Sequence, residues 1–467
     1  MILLLRNWTQ YLAYWLALIV LSLMAASCES FVDVDLPSSQ LTGETVFADA
    51  ATADAALTSI YSKMRDDALT AGTPTGISAL LGSYADELEY HAGSTLAAND
   101  FYLNSLLPSN ATVTSTWNST YNLIYGANAI IGGVSASTGI SETDKERLLG
   151  EAYFLRACLH FYLVNLYGAI PYVMSTDYQL NSTIPKLPVG GVYDAITADL
   201  QQAAVLLPDD YFGAERSRPN RSTAYSLLAR VKLYTENWPD ALLYSQLVIG
   251  NTSLYAWVDA VDGVFLNTST GTIWQLSSQF SGSNTLEAQI FIFMEGPPPA
   301  FSLRQDLVDS FEAGDLRRSH WIGTVSEGTD SWYYANKYKE NGTTGASAEY
   351  SILFRLEEQY LIKAEALAHL NEIDSSKAAL DKIRNRAGLG NTAADTQADL
   401  ISAILEERRK EFFTELGHRW LDLKRTNTVN SVLSVKKPGW DSKDALWPLP
   451  ENELLLNANL LPQNTGY

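Results

Sequence analysis

Hydrophobic positions recur at helical spacing along most of this 467-residue chain. Intervals of four, three and four residues place the first apolar set on one face of a helix. That set is Ala53, Leu57, Ile60 and Met64. The same spacing is strongest across 142–167, which predicts a long helix that begins after Ser141 and ends before Gly168. Shorter helices are predicted at 77–89, at 114–132 with Gly132 and Gly133 ending it, and at 192–207.

Two stretches have the spacing of helical hairpins. Residues 220–250 contain two helices with a turn at 237–239, and their spacing resembles a tetratricopeptide unit. The residues at the large, large, small and small positions of that pattern are Tyr225, Leu228, Ala229 and Ala241. A looser pair is predicted at 350–370, with Leu353 in its apolar stripe, and 375–386. We therefore predict a mainly α fold, a tetratricopeptide-like helical-hairpin scaffold with a large irregular, loop-rich insertion and few short strands.

Residues 251–348 interrupt the helical pattern. Gly, Ser, Thr and Asn dominate there, helical spacing persists only at 304–313, and four Trp residues fall within the segment. A long loop-rich insertion in a helical protein is more often functional than idle. Residues 426–467 are irregular again. Since no linker divides the chain, we predict a single domain over 49–467, with its helical scaffold at about 49–250 and 349–425.

The N-terminus has the pattern of an export signal. Residues 11–27 are uncharged and mostly apolar, which suits either a signal sequence or a short membrane anchor. Ala25, Ala26 and Ser27 then precede Cys28, and this ending resembles a bacterial lipobox, where the Cys receives the lipid. We predict a signal peptide at 1–27, lipidation of Cys28 and an acidic tether at 28–48. An uncleaved anchor is the alternative.

Charge and cysteine content narrow the function classes. The formal net charge is −21, which repels phosphate backbones and anionic lipid, so we predict no nucleic-acid partner. Tyr and Trp are abundant, at 25 and 11 residues, more than core packing usually requires. Only two Cys are present, and Cys158 lies in an apolar helical run, where a buried thiol is expected.

An enzyme would need a catalytic constellation. Asp86, Glu87 and Glu89 could be taken for glycosidase carboxylates, but among 53 acidic residues such neighbours arise often by chance. The five His form no HExxH or HxxxH pattern, and no GxSxG, GxGxxG or Walker loop is present. We predict no catalysis, no catalytic metal site and no cofactor. Loop Asp and Asn clusters leave a Ca²⁺ site as an alternative, although no twelve-residue EF-hand loop is present.

Four segments together resemble the SusD/RagB family of outer-membrane nutrient-binding lipoproteins. They are 151–171, 355–366 with 383–388, 404–425 and 446–467, in the order and spacing of the family. The resemblance implies a surface lipoprotein of the cell outer membrane, anchored by lipid, that partners a TonB-dependent (SusC-like) transporter. It would capture a glycan or another oligomeric nutrient without catalysis and deliver it to the barrel.

The resemblance also separates framework residues from ligand residues. It implies a buried ion-pair network whose members are Glu406, Glu407, Arg408, Arg409, Glu411, Arg419, Asp422 and Arg425. Trp117, Trp420, Trp440 and Trp447 lie in framework segments, where core positions are expected. Ligand contacts are expected from the loop at 86–104 and from roughly 255–335, because members of the family tend to bind through these regions.

Sugars present apolar faces rimmed by hydroxyls, so they suit exposed aromatic rings flanked by polar groups. The first loop offers Tyr90, His91, Asn99, Asp100 and Tyr102. The irregular segment offers Trp274 with Gln275, Trp321, Trp332 and Tyr333. For each aromatic residue the alternative is packing beneath the loop. For the whole protein the alternatives are a peptide ligand with the same transporter, a peptide-binding helical adaptor and a carboxylate-dependent glycoside hydrolase.

Overall fold

The computed structural model describes residue 15, residues 43–94 and residues 97–467. Apart from residue 15, the predicted signal peptide lies outside the described residues, as do Cys28 and most of the tether. Residues 46–467 form one compact unit. It is mainly helical with few short strands, which confirms the predicted fold class. In the part of the chain that is described, no helix has the length and apolar character needed to cross a membrane.

The secondary structure runs in the following order. The helices are α1 (Gly43–Val46), α2 (Ala50–Asp66), α3 (Ile77–Tyr84), α4 (Ala98–Tyr102), α5 (Ala111–Ala136), α6 (Glu142–Tyr167), α7 (Tyr178–Asn181), α8 (Val189–Leu206), α9 (Arg221–Tyr234), α10 (Trp238–Ile249), α11 (Leu286–Phe291), α12 (Gln305–Val308), α13 (Leu316–His320), α14 (Leu356–His369), α15 (Ile373–Arg386), α16 (Gln397–Phe412), α17 (His418–Arg425), α18 (Val429–Lys436) and α19 (Glu451–Leu456). The strands are β1 (Leu88–Tyr90), β2 (Thr272–Leu276), β3 (Phe301–Leu303), β4 (Ile322–Glu327), β5 (Asp330–Ala335) and β6 (Ser351–Arg355).

The long helices follow the apolar stripes. The four apolar residues that predicted α2 are all buried, and α6 begins at the Ser141 cap and ends at Gly168. The prediction that Gly132 and Gly133 end α5 is wrong, because that helix continues to Ala136. The Phe47 ring packs where a Gly133 side chain would stand, so here the glycine provides a close contact. Packing outweighs a helix-propensity cost of about 1 kcal/mol per glycine.

Both hairpins form, with one correction. Helices α9 and α10 meet at a turn where the Asn237 side chain accepts a hydrogen bond from the backbone of Asp240. In the second pair, helix α14 begins only at Leu356, because 351–355 form strand β6 antiparallel to β2. Leu353 therefore belongs to a strand. Both strands are buried along their whole length, and such a run cannot be told from a buried helix by periodicity.

The irregular segment contains more sheet than the sequence indicates. A four-stranded sheet has the order β1-β3-β5-β4, and all its pairs are antiparallel. Strand β1 replaces the end of the helix predicted at 77–89, and the helix predicted at 304–313 is reduced to α12. Residues 426–467, expected to be irregular, contain the short helices α18 and α19.

A buried charge cluster joins the irregular segment to helices α15 and α16. Glu411 accepts hydrogen bonds from Arg355 at 2.6 Å, from Arg317 at 3.1 Å and from Arg386. Asp422 accepts from Arg408 and Arg425, and Arg419 binds Asp86. The prediction for Glu406 is wrong, because this residue is exposed on the outer side of α16 and forms no ion pair with the described residues.

The four tryptophans predicted to lie in the core differ in burial. Trp117, Trp420 and Trp447 are buried as expected, whereas Trp440 is half-buried and its indole N–H donates to Asn430. Cys158 is buried in α6, and burial raises the pKa of its thiol to about 12.

Candidate functional site

The four-stranded sheet brings the two predicted ligand regions together. Strand β1 comes from the first loop, and it pairs with β3 of the irregular segment so that Tyr90 lies opposite Phe301. The pairing continues past the strand end, where the backbone N–H of His91 donates to the carbonyl of Ala300 at 2.8 Å. Residues more than 200 positions apart in the chain therefore share one surface.

One face of this sheet packs on the core. Leu88, Phe301 and Leu303 are buried there in a single hydrophobic cluster. Tyr90 and Tyr333 lie on the same face and are partly buried against that cluster. The Tyr90 ring is 5.5 Å from that of Phe301, and the Arg318 guanidinium lies 5.2 Å from the centre of the Tyr333 ring.

We call the opposite side the outer face and define it by Glu89, Ser302, Trp332, Tyr334 and Gly323. Glu89 lies opposite Ser302, and Tyr334 lies opposite Gly323. The register of β3 with β5 places Ser302 beside Tyr334. With strands about 4.8 Å apart, this row spans about 14 Å. Trp332 lies two residues before Tyr334, on the same side of β5.

The rings of Trp332 and Tyr334 each pack directly against a glycine. A side chain at Gly323 would collide with the Tyr334 ring, and one at Gly296 would collide with the Trp332 ring. Phe293 supports Tyr334 at 5.3 Å between ring centres, and neighbouring Met294 is 78% exposed. Both rings are half-buried, so each remains partly accessible.

Several polar groups of the outer face are unused. The Glu89 carboxylate, the Trp332 indole N–H and the Tyr334 hydroxyl have no hydrogen-bond partner among the described residues. His91 is exposed, and its Nε2 lies 2.8 Å from the Ser302 hydroxyl. Partial desolvation of the ring lowers the pKa of His91, although the nearby Glu89 carboxylate opposes the shift.

The remaining first-loop candidates surround the β1 edge. The Tyr102 ring lies 6.5 Å from that of Tyr90, and the Lys437 ammonium stands 4.3 Å from the Tyr102 ring centre. Asp100 accepts a hydrogen bond from Asn110 at 2.8 Å, which fixes the start of α5. The Asn99 side chain is half-buried.

Two of the candidate tryptophans are wrong as ligand platforms. Trp274 is fully buried in β2, where it stacks on Phe354 and donates its indole N–H to the carbonyl of Ser217. Trp321 is fully buried after α13 and donates to the carbonyl of Val261. Gln275 is also buried and donates to two backbone carbonyls. Neither indole can present a face to a surface ligand.

Sequence reasoning missed Tyr334, Phe293 and Met294. Alternation along a strand would have found the first of these, because successive side chains of β5 point to opposite faces. Trp332 therefore shares its face with Tyr334, whereas Tyr333 points to the core side. Phe293 and Met294 lie in a loop without a repeating pattern, so no sequence signal identified them.

The acidic residues weighed as glycosidase carboxylates are not together at the surface. Asp86 is buried and receives two hydrogen bonds from Arg419 at 2.7 and 3.0 Å; burial favours protonation, but the adjacent cations hold its pKa well below the usual range. Glu87 is buried too, and burial with the nearby Asp86 charge raises its pKa to about 7. Of these three acidic residues, Glu89 alone lies on the outer face. Within the described residues, no three His, Cys, Asp or Glu side chains group as metal ligands.

The fold is that of a helical-hairpin protein whose small sheet presents an aromatic surface with polar groups at its rim. A family model described as "Starch-binding associating with outer membrane" matches residues 30–233, and the SusD family model matches residues 317–467. The chain belongs to the SusD/RagB family.

Its relatives extend over nearly the whole chain. It is 28% identical to SusD-like protein P2 of Formosa agariphila, over 97% of this chain and 99% of that protein. A SusD superfamily protein from Bacteroides vulgatus superposes with a TM-score of 0.79 at 21% identity, covering 90% of this chain and 99% of the other. A structure named "Laminarin binding SusD-like protein" superposes at 0.76 and 23% identity, covering 89% and 99%.

Proposed function

We propose that this protein binds a neutral polysaccharide on the outer face of its four-stranded sheet. The observation that carries the proposal is the set of unused polar groups beside the half-buried rings of Trp332 and Tyr334. Aromatic rings stack on the apolar faces of sugars, and free carboxylate, indole and hydroxyl groups bind the sugar hydroxyls.

Family membership supports a carbohydrate ligand. The matching family model is described as starch-binding, and one structural relative is named for laminarin. The charge of the chain favours a neutral polymer, because Glu89 on the outer face and a net charge of −21 repel polyanions.

The test is affinity electrophoresis of the full chain in mild detergent, through native gels that contain laminarin, starch, xylan, galactan or mannan. We expect one neutral polymer to retard the protein and Trp332→Ala to abolish most of the retardation. Tyr178→Ala is the matched control, because Tyr178 is an exposed aromatic residue on α7, outside the sheet. Equal retardation of wild type and Trp332→Ala would contradict the placement.

Incubation with the retarding polymer separates binding from hydrolysis. We expect its chain length to be unchanged after prolonged incubation, since Asp86 is ion-paired in the interior and Glu87 is buried, which leaves Glu89 as the one member of that acidic group on the outer face. Shortened chains would favour a glycoside hydrolase. Retardation by no polymer, together with binding of an oligopeptide, would favour the peptide alternative.

We further propose that the protein acts at the cell surface, anchored by lipid on Cys28, and passes its ligand to a TonB-dependent outer-membrane transporter. The lipobox-like ending at 25–28 and the outer-membrane wording of the family model support this location. Cys28→Ser should abolish labelling by an alkynyl fatty acid and release the protein from the membrane fraction. Cross-linking on intact cells should join the wild type to a β-barrel transporter, and its absence would contradict the partnership.

A further inference from the structure

A second concave surface lies on the helical side of the molecule. It is a groove of about 570 Å³ between α5 and the C-terminal segment around α19, closed at one side by 181–184. Its volume is in the range of small-molecule and cofactor sites. None of its lining residues belongs to the four-stranded sheet or to the loops that adjoin the outer face.

Three aromatic residues line the groove from one helix. Trp117, Tyr121 and Tyr125 are spaced four residues apart on α5, so they follow one face of the helix. The rings of Trp117 and Tyr121 are 4.8 Å apart, and the Tyr121 hydroxyl donates to the carbonyl of Pro171. Trp117 is almost completely buried, whereas Tyr125 is 53% exposed. The stripe therefore runs from a fixed floor to an accessible rim.

Polar groups with spare capacity accompany the stripe. Asn118 and Asn122 are exposed on α5, and their amides have no hydrogen-bond partner within the described segments. Glu453 faces them from α19 and forms no ion pair with the described residues. Burial raises the pKa of Glu453, and the indole of Trp117 opposes the shift by hydrogen bonding to it.

The opposite wall is held in place by its own side chains. The Asn457 amide donates to the carbonyl of Ile184 at 2.9 Å, which joins the C-terminal segment to the strip that follows α7. The Asn181 amide donates to the carbonyl of Ser175 at 2.7 Å. Because these bonds are internal to the wall, the groove is formed before any ligand arrives.

The lining specifies the ligand class. Aromatic faces, two free amides and one carboxylate match the alternating apolar and hydroxyl surfaces of a sugar chain. No Lys or Arg is among the lining residues of this groove, so nothing there would neutralise an anionic ligand.

We propose that this groove is a second saccharide site, which takes a short stretch of a neutral glycan separately from the outer face. The inference rests on the carbohydrate-binding function proposed above. Two sites on different sides of the molecule would let one protein hold two segments of a polymer, and the retention of a long chain would then exceed that of either site alone.

The test compares single and double variants in the polysaccharide gels named above. Trp332→Ala removes the outer-face ring, Tyr125→Ala removes the groove rim, and Asn122→Ala removes a free amide. Tyr178→Ala is again the control, because Tyr178 is exposed beside the groove but does not line it. Equal denaturation midpoints will show that each variant is folded.

We expect Tyr125→Ala and Trp332→Ala each to weaken polymer affinity about tenfold or more, and the double variant to lose retardation. Unchanged retardation of Tyr125→Ala, with loss in Trp332→Ala, would overturn the groove and leave the proposed function intact. Loss in Tyr125→Ala alone would support the groove and overturn the outer-face placement. A wild-type chain that none of the neutral polymers retards would overturn both.

Discussion

The charge cluster around Glu411 and the outer face of the sheet contain similar residue types but use them differently. Burial alone would raise the pKa of Glu411, yet Arg386, Arg355 and Arg317 overcome it and lower the pKa well below the usual range. On the outer face, the carboxylate of Glu89 accepts no hydrogen bond and forms no ion pair among the described residues. Function is therefore indicated by hydrogen-bonding capacity left unused, and residue type alone does not reveal it.

The largest effect is expected from a substitution in the buried charge cluster. Glu411→Gln removes one charge from a buried cluster and leaves three guanidinium groups without it, which should lower the free energy of unfolding by about 3–5 kcal/mol. Glu406→Gln, on the exposed side of the same helix, should change it by less than about 0.5 kcal/mol. Urea denaturation of both variants measures the difference. A loss below about 1 kcal/mol in Glu411→Gln would contradict the network.

A buried and an exposed histidine should contribute differently to the pH dependence of stability. His160 is fully buried in α6; its Nδ1 donates to the carbonyl of Arg156 at 2.8 Å, and its Nε2 accepts from the backbone of Val173 at 3.2 Å. Both ring nitrogens are occupied in the neutral form, and a further proton would face an N–H. Burial lowers the pKa of His160 to about 3, despite the favourable Arg156 hydrogen bond.

The sign of the stability change follows from these values. Between about pH 6.5 and 3 the unfolded chain carries a proton on this imidazole and the folded chain does not, so acidification favours unfolding. The wild type should lose about 3 kcal/mol more than His160→Gln between pH 7 and pH 4.5. Exposed His91→Gln should lose nearly as much as the wild type. Parallel acid slopes for His160→Gln and wild type would contradict this role.

Replacement of the Trp332 ring tests the role of the outer face in ligand binding. Trp332→Ala should weaken polysaccharide binding by about 2 kcal/mol, because a few aromatic contacts usually dominate such surfaces. Trp274→Phe is the contrasting change, since Trp274 is buried in β2 and should affect stability but not affinity. Calorimetric titration with the retarding polymer measures both. Weaker binding by Trp274→Phe would show that the core position matters for the ligand.

The smallest expected effect concerns the support of that ring. A side chain in Gly296→Ala would collide with the Trp332 ring and displace it, which should weaken binding by about 1 kcal/mol. Gly190→Ala is the control, because the space at Gly190 is open. Equal affinity of Gly296→Ala and wild type would indicate that the ring position is not critical.

The helices could be predicted from the sequence because their apolar spacing is a local property. Strand β6 could not, because burial on both faces removes the alternation that distinguishes a strand. The prediction of the candidate site had a similar limit, because local sequence does not determine which side chains are exposed. Exposure is decided by distant partners, so Trp274 and Trp332 look alike in the sequence, although Phe354 stacks on the first and Gly296 lies against the second.

The glycine supports have a thermodynamic consequence. Trp332 rests on Gly296 and Tyr334 on Gly323, so neighbouring backbone already restricts the rotamers of both rings. Immobilising a free side chain on association costs about 0.5–1.5 kcal/mol, and rings that are ordered beforehand avoid much of that cost. Two residues without side chains thereby lower the entropic penalty of ligand capture.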